Sequence, residues 1–207
     1  MNIELKNIKH FPSLSEETEA FTANIYINGI QAGHAKNSGH GGSTDYYHNN
    51  DKGRELIHKA EAYCKGLPDK QFPKDQYMEA FSIPMSLEQY IDDLVNDYIE
   101  KKEQASFAKK LNKAMERGIV FGIAGESFTT LAFTTPFAKV LDHPKATEII
   151  KNAIINKVLP ELKDGNIILN TNIPKEILKA ADLSDDKYVE PSIDENILHE
   201  RPIGQKL

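Results

Sequence analysis

The segment GHAKNSGHGGSTDYYH, residues 33–48, concentrates side chains that could bind a ligand. It contains three of the seven histidines, four of the twelve glycines and two adjacent tyrosines. Successive backbone N–H groups near glycines can form an anion-binding concavity, and aromatic rings can stack on a base. The segment therefore predicts a site for a nucleotide-like or other anionic small ligand. The predicted ligand-binding residues are His34, Asn37, Gly39, His40, Gly41, Gly42, Ser43, Thr44, Tyr46 and Tyr47.

Each residue type in this segment has an expected role. The glycine backbone would hold a phosphate, Ser43 and Thr44 would add hydrogen bonds, and one of the tyrosines would stack on the ligand. His34 and His40 would balance the negative charge. The segment is not a P-loop, because no Gly-Lys-Ser/Thr follows, and it is not the dinucleotide-binding fingerprint. A flexible connection, whose glycines only permit turning, is the simplest alternative.

A metal site is a further interpretation of the same segment. Imidazole and carboxylate groups are common zinc and iron ligands, and the candidates are His34, His40, Asp45 and His48. Because these residues lie on a predicted loop, no helical spacing places them on one face. A metal-dependent hydrolase that uses the loop histidines is the enzymatic alternative.

Other catalytic patterns are weak in this chain. It contains no G-x-S-x-G elbow, and its only cysteine, Cys64, lies on the apolar side of a predicted helix. A single cysteine also excludes an intramolecular disulfide. The acidic run of Glu16, Glu17 and Glu19 is interpreted as a solvated turn. We therefore expect a non-catalytic protein without a cofactor.

The elements that would position the segment begin with a predicted hairpin. Alternating residues predict a first strand at Asn2–Lys9, and Asn28-Gly29 between two extended runs is typical of a type I′ turn. This turn places Ile27 opposite Ile30, and continuing the register places Ala23 opposite His34. His34 is therefore expected on the apolar face of the sheet.

The rest of the chain alternates helices and strands. A capping box at Ser86 predicts a long helix that ends near Gly118, and a second hairpin and a helical pair follow. These patterns predict an α+β fold, with mainly antiparallel sheet from two hairpins packed against the long helix and the helical pair. We expect one domain at 1–183, with a subdomain boundary at 66–84, and an extended tail at 184–207.

Composition excludes several classes of protein. The chain has 31 acidic and 25 basic residues, a net charge of −6, which argues against general nucleic-acid binding. The polar amino terminus shows no secretory signal, and the longest apolar stretch is too short to span a bilayer. These features predict a cytoplasmic protein.

One set of residues in the first quarter of the chain carries a resemblance to known proteins. Its members are Ser15, Glu16, Glu17, Thr18, Phe21, Ala23, Tyr26, Gly29, Ala32, Gly33, Asn37, Gly39, Gly41, Gly42 and Tyr46. In these positions the chain resembles small uncharacterised proteins carried by phages and prophages. The similarity covers residues up to about Asp51, and it implies a phage setting without implying a reaction. In such a setting, small proteins commonly neutralise host defence components or their nucleotide signals.

Together these observations predict a cytoplasmic, phage-encoded binding protein. It would capture a nucleotide or phosphorylated small molecule through the Gly/His-rich segment and thereby counteract host defence. The competing hypothesis is an inhibitor that contacts a host defence protein through its surface. The long helix offers a surface for a homo-oligomer.

Overall fold

The computed structural model of this protein describes residues 1–192. The chain divides into two compact units, Met1–Lys102 and a second unit that begins at Glu103. The division falls inside the long helix, and the predicted boundary at 66–84 lies within the first unit. Of the predicted tail, residues 193–207 lie outside the described residues. Asp185–Lys187 forms a 3-10 turn, and Tyr188 is buried and bridges to Ile168.

A four-stranded antiparallel sheet forms one layer of the first unit. Its strands are β1 (Ile3–His10), β2 (Phe21–Ile27), β3 (Ile30–Asn37) and β4 (Asp45–His48), in the order β1-β2-β3-β4. Both residues of the Asn28-Gly29 turn have positive φ, as a type I′ turn requires. Much of the segment predicted as a loop is thus the β3–β4 hairpin.

The predicted register of β2 against β3 is wrong beyond the turn. Ile27 pairs with Ile30 as expected, but a β-bulge then shifts the pairing, so that Ile25 pairs with Gly33 and Asn24 with His34. One extra residue in β3 exchanges the two faces of the strand. His34 is therefore exposed, on the face opposite to the core.

Two helices cover the inner face of this sheet. The first, α1 (Asp51–Cys64), is capped by the Asn50 side chain, and the second, α2 (Leu87–Met115), begins at the predicted Ser86 cap. Two short strands, β5 (Lys70–Phe72) and β6 (Phe81–Ile83), form a small hairpin that the sequence did not predict. The first unit has its own core, which includes Phe21, Ile25, Ile27, Ile57, Ala60, Cys64, Leu87, Ile91 and Val95.

The second unit combines a three-stranded sheet with short helices. Its strands are β7 (Gly118–Ile123), β8 (Ser127–Ala132) and β9 (Ile167–Ile168), in the order β8-β7-β9. Its helices are α3 (Phe137–Leu141), α4 (Ala146–Ala153) and α5 (Lys175–Ala180), and a π-helical turn at Ile154–Val158 continues α4. A separate core contains Ile119, Phe137, Ile150, Ile154, Ile168 and Leu178.

The predicted α+β class with antiparallel sheets is confirmed. The two hairpins foreseen in the sequence lie in different sheets, one in each unit. Among the residues that the structure describes, no helix is both long and apolar enough to cross a membrane.

Candidate functional site

The loop that joins β3 to β4, residues 38–44, is held in place by one side chain. The Asn37 amide donates to the Gly42 carbonyl at 2.9 Å and to Thr44 Oγ1 at 3.1 Å. Its oxygen accepts from the Gly39 N–H at 2.9 Å and from the Thr18 hydroxyl at 3.0 Å. Asn37 thereby fixes the 38–44 loop against the loop that connects β1 to β2.

The glycines of this loop serve the loop itself. Gly39 and Gly41 have φ values of +90° and +76°, which side-chain-bearing residues rarely adopt. The Gly39 N–H is donated to Asn37 and the Gly41 N–H to Thr18 Oγ1, at 3.3 Å. Two of the three glycine N–H groups predicted to hold a phosphate are thus already bonded within the protein.

A cleft of about 550 Å³ lies between these two loops and α2. We name it the acidic cleft, because five carboxylates line it and none of its described lining residues is Lys, Arg or His. Its walls are formed by Ser15, Glu16, Glu17, Thr18, Glu19, Phe21, Asn37, Gly41, Gly42, Ser43, Glu88, Gln89, Asp92, Val95 and Asn96.

Two of these carboxylates, on α2, are bonded to the end of the loop. Glu88 and Asp92 are one helical turn apart, so their side chains lie on the same face of the helix. The buried Thr44 donates its hydroxyl to Asp92 Oδ1 at 2.6 Å and its N–H to Glu88 Oε1 at 3.2 Å. Burial raises the pKa of Asp92, and the nearby Glu88 carboxylate also raises it. The hydrogen bond from Thr44 lowers this pKa but does not cancel the increase.

A histidine that the sequence left without a partner lies beside the cleft. His10 Nε2 is 2.6 Å from Glu19 Oε2 and 3.5 Å from Ser15 Oγ, and the imidazole is nearly buried. In a Ser-His-acid triad the serine and the acid contact different ring nitrogens, whereas here both contact Nε2. The group therefore positions the β1–β2 loop and lacks the arrangement of a nucleophilic triad.

The predicted site residues do not converge on one point. Asn37, Gly41, Gly42 and Ser43 line the acidic cleft, and Gly39 and Thr44 support its walls. His40 is exposed and pairs with Glu16 at 3.1 Å.

The remaining predicted residues lie on opposite faces of the sheet. Tyr46 packs against the core and donates to Glu61 at 2.9 Å, and burial together with this carboxylate raises its pKa to about 12. His34 and Tyr47 stack on each other on the opposite, outer face, with ring centroids 5.2 Å apart.

The metal candidates are likewise dispersed. In register, His34 is opposite Tyr47, Asp45 is opposite Lys36 and His48 is opposite Gly33, while His40 lies in the loop. Within residues 1–192, no group of three or more His, Cys, Asp or Glu side chains is placed to hold a metal ion.

Comparison with known proteins identifies no family for this chain. No protein-family model, no curated protein and no solved structure matches the chain.

The carboxylates that dominate the cleft were not predicted from the sequence. The sequence predicts a solvated turn for Glu16, Glu17 and Glu19, and it indicates no site role for Glu88 or Asp92. Their positions at 16–19 and at 88–92 are joined only by the tertiary fold. The Ser15–Thr18 run in the phage resemblance was the one local signal that pointed to the β1–β2 loop.

Proposed function

We propose that this protein is a non-catalytic binding protein whose acidic cleft takes up a small organic polycation. The observation that carries the proposal is a concave site with five carboxylates and, among its described lining residues, no basic side chain. A concave site in which polar groups converge and a titratable residue has a shifted pKa is a candidate position for a ligand.

The size of the cleft supports a small ligand. Its volume of about 550 Å³ lies in the usual range of small-molecule sites, roughly 300–1,000 Å³. Its walls are two loops fixed by Asn37 and one face of α2, so the site exists before the ligand arrives. A preformed site loses little conformational entropy when it binds.

The charge of the cleft supports a cation. Glu88 and Asp92 repel each other at one helical turn, and the raised pKa of Asp92 is a consequence of burial and of this repulsion. An ammonium group between them would relieve the repulsion. A phosphate at the same loop would meet Glu16, Glu17 and Glu88 instead, and the anionic ligand expected from the glycines is therefore disfavoured in this cleft.

The cellular setting is part of the same proposal. We propose a cytoplasmic location, because the chain has a single cysteine and therefore cannot form an intramolecular disulfide. The resemblance of the first quarter to phage-carried proteins supports a role in an infected host cell, where removal of a polycation would counteract host defence. A homo-oligomer also stays a prediction.

Isothermal titration calorimetry with spermidine tests the proposal. We expect binding that weakens as salt is raised, and we expect Asp92→Asn and Glu88→Gln each to weaken it by about tenfold. Glu126→Gln, in the β7–β8 turn of the second unit, is the matched control and should leave the affinity unchanged. No binding of spermidine at millimolar concentration, or equal affinity for all four proteins, would contradict the proposal.

A second candidate function is the protein-contact inhibitor, favoured by two exposed large side chains at the tip of the β5–β6 hairpin. Tyr77 is 84% exposed and Met78 is 56% exposed, and the rings of Phe72 and Phe81 on the two strands stack at 4.7 Å. Under this alternative the cleft would accept a basic segment of the partner. An arginine-rich peptide that binds far more tightly than spermidine, and more weakly after Tyr77→Ser, would favour it.

A further inference from the structure

We infer a second binding site, on the outer face of the four-stranded sheet, for a mononucleotide. It is independent of the acidic cleft, which lies on the other side of β3. The observation behind it is a hollow of about 260 Å³ whose described lining contains two lysines and a histidine and no carboxylate. Its lining residues are Asn7, Lys9, Thr22, Ala23, Asn24, His34, Ala35 and Lys36.

Two β-bulges produce this hollow. One, in β1 between Lys6 and Lys9, contains Asn7 with a φ of +55°, and the other shifts β3 against β2 beside Ile25. Bulges reorient side chains and recur next to functional sites. Here the second bulge turns His34 to the outer face, opposite Asn24, and the pairing of Thr22 with Lys36 and with Lys9 brings both lysines to the same face.

The charges of the hollow fit a phosphate. Within the described part of the chain, neither Lys9 nor Lys36 forms an ion pair, so both ammonium groups can meet a ligand anion. The acidic residues on this face are Glu4, which pairs with Lys6 at 3.6 Å, and Asp45, opposite Lys36 in register. Neither lines the hollow.

An aromatic surface borders the lysines. Tyr47 is 45% exposed, and its ring is stacked on His34 with an interplanar angle of 26°. The Lys36 ammonium is 5.6 Å from the centre of the same ring. Aromatic side chains on an exposed sheet are platforms on which bases stack. A nucleotide would therefore place its phosphate between Lys9 and Lys36 and its base on Tyr47.

The occupant is a mononucleotide and not a nucleic-acid strand. A strand requires a continuous basic track, whereas this chain carries a net charge of −6 and Asp45 lies beside the aromatic surface.

Calorimetric titration of the 207-residue chain with AMP tests the inference. We expect saturable binding, about tenfold weaker in Lys9→Gln and in Lys36→Gln because each loses a charge-assisted contact. Lys59→Gln, an exposed substitution on α1, is the matched control and should bind AMP like the wild type. Tyr47→Leu should weaken AMP but leave the weaker binding of ribose 5-phosphate unchanged, which separates stacking from phosphate recognition.

Several outcomes would overturn the inference. They are no AMP binding at millimolar concentration, equal affinity in the two lysine variants and the control, or an affinity for oligo(dT) that exceeds that of AMP and grows with length. Asp92→Asn should not change AMP binding. The AMP titrations and the spermidine titrations therefore test the two proposed sites separately.

Discussion

At the scale of single residues, Asn37 shows how a predicted ligand contact can be a structural one. An asparagine side chain offers two donors and an oxygen with two lone pairs, and Asn37 uses all four positions within the protein. Its partners, Thr18, Gly39, Gly42 and Thr44, belong to the two loops that form the cleft. The amide therefore orders the walls of the site and has no capacity left for a ligand.

Gly39 offers a sharp test of that ordering. A Cβ at this position would lie 2.0 Å from the Leu14 carbonyl oxygen, and the φ of +90° disfavours any side chain. We expect Gly39→Ala to lower the free energy of unfolding by about 2 kcal/mol or more, measured by urea denaturation.

Gly42→Ala is the control for this substitution. A Cβ at Gly42 would have no atom within 4 Å, and Gly42 has no positive φ, so its unfolding free energy should change little. An equal effect of the two alanines would show that the 38–44 loop is not tightly packed against the β1–β2 loop.

At the scale of elements, the sequence predicted those structural features that depend only on residues close together in the chain. The Asn28-Gly29 turn and the Ser86 cap are each determined within a few residues, and the sequence predicted both. The bulge beside Ile25 depends on cross-strand packing, and nothing near Ala32 indicated it. For the same reason the sequence did not predict β4, a strand of four residues, or β5 and β6, strands of three residues each.

The helix α2 carries the clearest pH dependence. The pKa of Asp92 in the folded state is raised above its ordinary value of 3.8, so the ionised carboxylate destabilises the fold. The contribution of Asp92 to folding stability is therefore complete below pH 3.8 and is lost as the pH rises through the raised pKa. Asp92→Asn should therefore raise the melting temperature at neutral pH, where it removes one charge of a like-charged pair, and should have little effect below pH 3.8.

Thermal denaturation of both proteins across this pH range measures the effect. A melting temperature of Asp92→Asn below that of the wild type at neutral pH would show that the carboxylate stabilises the fold. A variant that is more stable yet binds spermidine more weakly is the result expected of a residue retained for binding.

At the scale of the whole molecule, the first unit contains everything that the two proposed sites require. Its core draws only on residues between Ile3 and Ile99, and both the cleft and the outer sheet face lie within Met1–Lys102. Opposite charges are thus separated onto different surfaces of one small sheet-and-helix unit. Sequence composition reports only their sum, a net charge of −6, and could not predict that separation.

A fragment comprising residues 1–102 should therefore fold and bind by itself. We expect a cooperative thermal transition by circular dichroism and a spermidine affinity like that of the full chain, because the unit has its own core. A fragment that unfolds without cooperativity would show that the second unit is required for the stability of the first.

The bulge in β3 has a consequence for how this protein should be compared with others. Because Ala32 is one residue more than β2 can pair with, the number of residues in β3 decides which of its side chains meet solvent. In a homologue whose β3 lacks this one extra residue but is otherwise identical, the histidine would face the core instead of solvent. In an alignment of homologues, the position of a gap in this strand would therefore indicate whether the histidine reaches the proposed nucleotide site. The identity of the aligned residues would indicate this less well.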